Sequence, residues 1–126
     1  MESSSEISIQ RLFGWLAGAT ASNIIVFFVA SWLGASWDVG SPQLINLAIV
    51  VVLTVLPLTL GAWVTSLVSK KSLSARGVLV WAGFALALVS APAGLLMSTD
   101  PTTGIALVVM HPIVATAWLA ITLPRK

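Results

Sequence analysis

The chain contains no cysteine among its 126 residues. Disulfides, thiolate metal sites and thiol relays are therefore excluded, and cysteine usage says nothing about redox compartment. Charge is nearly as scarce: Asp, Glu, Lys and Arg make up 8% of the chain, against about 25% in a soluble globular domain. With 58% hydrophobic residues and a mean hydropathy of +1.04, the chain cannot cover a water-facing surface. No hydrophilic stretch is long enough to bury a separate core, so a single membrane domain over residues 1–126 is expected, with no soluble catalytic domain. The six basic residues give a net charge of +2 and a pI near 9.7, but they sit beside apolar segments. Their expected contacts are the bilayer and its anionic headgroups rather than nucleic acid.

The long apolar runs carry the organisation. An all-α membrane protein is expected, a bundle of four transmembrane helices spanning about residues 12–33, 42–69, 77–97 and 101–123. The first run exceeds the ~7–15 residues of a signal-peptide core, and the acidic Glu2 and Glu6 precede it, so it reads as a retained span. Ser41-Pro42 and Asp100-Pro101 each read as an N-cap followed by proline at the first helical position, starting the second and fourth helices. Pro57, Pro92 and Pro112 fall inside spans, where a proline predicts a kink or interruption.

The charges fall in alternate gaps. Arg11 precedes the first span, Lys70, Lys71 and Arg76 follow the second, and Arg125 and Lys126 follow the fourth, whereas Asp38 and Asp100 occupy the other gaps. The positive-inside rule then puts both termini and the 69–77 loop in the cytoplasm of an inner, or plasma, membrane. Trp15 and Trp81 fall near the basic end and Trp32 and Trp37 near the other, as interfacial belts do; Trp63 and Trp118 read as packed between helices. Pro57 and Trp63 share the pattern Pro-x4-Ala-Trp with Pro112 and Trp118, which chance similarity explains more simply than duplication.

Helix association in lipid lacks a hydrophobic drive and favours small side chains. Gly14, Gly18 and Ser22 form one stripe at four-residue spacing and Gly83, Ala87 and Ala91 another, read most simply as packing faces within the bundle. Asn23 lies about 180° around its helix from Gly14, so that helix has two distinct faces. One of them is free to meet a second subunit in a homo-oligomer.

No carboxylate, amine or thiol lies within any of the expected spans. The candidates for chemistry reduce to Asn23, Thr54, Ser90 and His111, which fall at similar depths and form an expected polar cluster or ligand site. Simple interhelical hydrogen bonding, at about 0.6 kcal/mol each, is the alternative for the first three. His111 has no carboxylate for a proton relay, no second histidine for a haem, and no orienting acid for a Ser90 nucleophile. A packing or ligand-contacting role is expected, with no catalytic residue, no metal and no cofactor.

Other architectures fall by absence. Four-helix thiol oxidoreductases need paired cysteines, small multidrug exporters a buried glutamate, retinal proteins a lysine and zinc-protease helices two histidines. Through Ser90-Ala91-Pro92 and the apolar run ending at Met110-His111, the chain resembles small bacterial four-helix integral membrane proteins of unknown function. That resemblance implies a topology and a bacterial inner-membrane setting, and it transfers no site residues. The expected role is non-enzymatic, a binding or accessory protein contacting a partner, lipid or small apolar ligand. The alternative is a small oligomeric transporter or channel subunit with a polar path through Asn23, Thr54, Ser90 and His111.

Overall fold

A computed structural model describes residues 6–124; Glu2, Arg125 and Lys126 of the charge pattern lie outside them. Those residues form four helices, α1 (Ile9–Trp32), α2 (Leu47–Ser69), α3 (Leu73–Met97) and α4 (Pro101–Thr122), with no strand among them. At 22 to 25 residues each, the helices are about 33–37 Å long, enough to cross a bilayer core. All four are also apolar enough to do so. Large apolar side chains point outward around the whole bundle, with Leu96 86%, Val89 75% and Leu86 71% exposed. A water-soluble monomer rarely exposes so much apolar surface. The chain is a multi-pass membrane protein.

Each helix starts on a side chain that accepts from a backbone amide of the first turn: Ser8 from Arg11, Asn46 from Ile49, Ser72 from Ala75 and Asp100 from Thr103. The Asp100-Pro101 start is the one expected. The Ser41-Pro42 start is corrected to Asn46, because the amide of Ile45 is engaged at 2.9 Å by the carbonyl of Trp37, which keeps the preceding segment folded back as a loop. The third helix begins at Leu73 instead of Gly77, since Ser72 caps it, and Arg76 therefore lies in α3 rather than in a loop. Pro57, Pro92 and Pro112 are carried within continuous helices, so the expected interruptions do not occur.

The most buried helix is α4, packed most closely against α3 and then α1, while α1 pairs with α2. Among the described residues no Cα of α1 comes within 8 Å of one in α3, and α2 meets α3 and α4 only thinly. The core falls into two groups. Near the basic end Leu16, Ala19, Leu58, Ala62, Ala117, Trp118 and Ile121 pack together; near the acidic end Ala30, Trp37, Val50, Ala106 and Met110 do so.

Glycine lets α3 approach α4. A Cβ added at Gly83 would lie 2.7 Å from the Trp118 ring and one at Gly94 2.6 Å from the Leu107 Cβ, so both positions require hydrogen there. The Gly83, Ala87, Ala91 stripe lies on this side of α3, with Ala91 buried. On α1 the same spacing has the opposite fate. Gly14 and Gly18 are exposed and nothing lies within 4 Å of a Cβ built on either, while Ser22 of the same stripe is half-buried and lines a shallow crevice against α4 with Gly18.

Candidate functional site

A cavity of about 440 Å³ opens beside the thin contact between α2 and α3, and Asn23, Thr54, Ser90 and His111 all line it. The four polar positions thus converge from four different helices on one space. The rest of the wall is almost entirely apolar. Trp118 lines it toward the basic end, and toward the acidic end Val50 and Met110 belong both to the wall and to the cluster packed around Trp37. Leu53 of α2 and Leu86 of α3 also line the cavity while being 61% and 71% exposed, so they mark a mouth facing sideways out of the bundle.

The polar side chains are held by local main-chain bonds. Thr54 donates its hydroxyl proton to the Val50 carbonyl at 2.7 Å, so its oxygen can only accept from Asn23 Nδ2, 2.9 Å away. This assigns the Asn23 amide: nitrogen toward Thr54, Oδ1 turned away, buried and without a hydrogen-bond partner. Ser90 donates to the Ala87 carbonyl at 3.0 Å. His111 Nδ1 lies 2.6 Å from the Leu107 carbonyl; a carbonyl only accepts, so Nδ1 carries a proton, and in the neutral ring Nε2 is the acceptor.

Trp118 closes the basic side of the cavity. Its ring sits between Gly61 and Gly83, where added Cβ atoms would come within 2.5 and 2.7 Å, and its Nε1 donates to the Val80 carbonyl at 2.7 Å. Trp63, its counterpart in the repeated pattern, is instead 61% exposed, which corrects its expected packing between helices. Trp37 is likewise corrected from an interfacial position to a buried one. It takes a left-handed backbone at φ +60, stacks on Phe27 with ring centroids 4.6 Å apart, and donates from Nε1 to Ser31.

Two further groups escaped sequence reasoning. At the acidic end Asp100 accepts from the Ser36 hydroxyl and amide and from the Thr103 amide and hydroxyl, while the Trp37 amide donates to Thr103 Oγ1 at 2.9 Å. The Ser36 hydroxyl first, and then the Thr103 amide, hold the Asp100 carboxyl down at about 2. At the basic end Arg76, only 1% exposed, donates through Nε and Nη2 to the Thr122 carbonyl at 3.2 and 2.7 Å, and Arg11 Nη2 donates to the Ile121 carbonyl at 2.8 Å. Both cations thus serve the carbonyl end of α4, where the helix dipole favours positive charge. A signal was present: an arginine four residues past the Ser72 cap falls inside the first turns of a helix.

Among the described residues no three His, Cys, Asp or Glu side chains come together as a metal site would require. None of the curated proteins and none of the solved structures compared with the chain matches it. A family model does match, over residues 3–126 and so nearly the whole length, and the chain belongs to that group, the Family of unknown function (DUF6069).

Proposed function

We propose that this protein is a non-enzymatic membrane protein that holds a small apolar molecule in the cavity between α2, α3 and α4. The observation that carries this reading is the cavity itself: about 440 Å³, apolar walls and a few convergent polar groups, the usual make-up of a small-molecule site. Its mouth at Leu53 and Leu86 opens toward the surface that lipid covers, so the bilayer is the natural source of the occupant. Arg11, Lys70, Lys71 and Arg76 all lie at one end of the bundle, which supports a plasma-membrane orientation with that end in the cytoplasm. The outward Gly14 and Gly18 support a homo-oligomer through α1.

A solute path through Asn23, Thr54, Ser90 and His111 is the less favoured reading, because Trp118 and the Trp37 cluster close the two ends of the space. Native mass spectrometry of protein extracted in mild detergent tests the proposal. A retained apolar molecule, displaced when Leu58→Trp fills the space, is the expected result. A chain that never carries one, alongside flux in proteoliposomes that His111→Ala abolishes, would transfer support to the path.

A further inference from the structure

The cavity wall is unbalanced in its hydrogen bonding. Thr54 spends its hydroxyl proton on Val50, Ser90 on Ala87, His111 its ring N–H on Leu107 and Trp118 its indole N–H on Val80, each a main-chain carbonyl. At Thr54, Ser90 and His111 only acceptors remain toward the cavity, while Asn23 Nδ2 keeps a second N–H beyond its bond to Thr54. His111 and Ser90 are only half-buried, so Nε2 and Oγ have room for a partner, and behind them Asn23 Oδ1 is buried with no donor at all. Leaving such acceptors unmatched in a low-dielectric wall is costly, and a group that donates relieves the cost.

Charge narrows the class further. Among the described residues no Asp, Glu, Lys or Arg lines the cavity. A carboxylate or phosphate head would meet acceptors and no cation; an ammonium head would meet no carboxylate, and either would be buried unpaired. We propose that the site selects a neutral apolar molecule bearing a hydrogen-bond donor, an alcohol or phenol-type hydroxyl, which enters tail or ring first between α2 and α3 and donates to His111 Nε2 with Ser90 Oγ beside it. This inference rests on the apolar-ligand reading and adds the chemistry of the head.

The test uses the intact chain in nanodiscs, photolabelled with a diazirine-bearing long-chain alcohol, with dodecanol, dodecyl methyl ether and dodecanoate as competitors. The three share a chain and differ in the head: donor, acceptor only, and anion. Labelling at residues of α2 and α3 around the mouth is expected, with dodecanol competing at least about ten-fold better than the ether or the acid. His111→Phe should keep the labelling and erase that preference. Equal competition by alcohol and ether would overturn donor selection while leaving an apolar site in place. Labelling scattered over the lipid face and unaffected by any competitor would instead remove the site itself. The comparison of competitors needs no variant, so a misfolded His111→Phe chain leaves the test decisive.

Discussion

The seam between α3 and α4 and the seam between α2 and α3 are built from the same apolar residue types, yet one is closed and the other is open. Along α3–α4, Gly83 and Gly94 bring the backbones together, Trp118 fills what remains, and its indole N–H bonds back to Val80. Along α2–α3 the exposed Leu53 and Leu86 stand on either side of a cavity. In lipid, apolarity alone draws no two helices together. Shape decides, and here shape leaves one helix pair apart beside Asn23, Thr54, Ser90 and His111, which line the cavity together.

The largest break in this contrast should come from Trp118→Ala. It removes the ring that Gly61 and Gly83 accommodate and the donor to Val80, and should cost about 3–5 kcal/mol of stability, read by denaturation in detergent. It should also merge the closed seam with the cavity, so bound apolar probes lose their defined site. Gly83→Ala is the next step down, at about 1–3 kcal/mol, because the new methyl meets the Trp118 ring 2.7 Å away. Its control is Gly18→Ala, the same exchange where no neighbour within the chain comes near, for which the detergent-isolated monomer should gain about 0.5–1 kcal/mol from helix propensity.

Between the glycines lies the limit of what the sequence could say. Spacing made both stripes legible as close-packing faces, but period fixes which residues share a face and says nothing about which helix, if any, comes to meet it. The polar cluster was more legible, because depth along a span follows from counting residues, and depth is what brought Asn23, Thr54, Ser90 and His111 to one cavity. Caps were legible where local chemistry acts alone, as at Asp100-Pro101. They were not at Ser41-Pro42, where a bond from Ile45 back across the loop to Trp37 overrides a good local signal. Arg76 was read as a loop charge since arginine seldom enters a core; the carbonyl of Thr122 that receives it lies 46 residues away in the chain.

A smaller effect should come from the acidic end, outside both seams. Asp100 is held at about 2, below the ~3.9 of an unfolded aspartate, so its contribution to stability is fully present above about pH 4 and is lost as pH falls through about 2. Thermal midpoints in detergent should therefore fall over that range, and Asp100→Asn should flatten the fall while leaving both seams intact. The smallest change in stability belongs to Leu86→Ala at the mouth, within about 0.5 kcal/mol since the side chain is 71% exposed. Its signature should be kinetic: faster release of a bound apolar probe at an unchanged thermal midpoint. An unchanged release rate would mean that molecules pass elsewhere than between α2 and α3.

The arginine pair on the last carbonyls of α4 has a consequence for how the molecule is made. Synthesis delivers α1, α2 and α3 to the membrane before the helix on which most of their packing converges. Until Ile121 and Thr122 arrive, Arg11 and Arg76 lack the carbonyls that receive them in the finished bundle. The fourth helix supplies most of the packing that joins α3 to the α1–α2 pair. A chain cut short before Ile121 therefore differs from the completed protein at the carbonyl end that its two arginines bind.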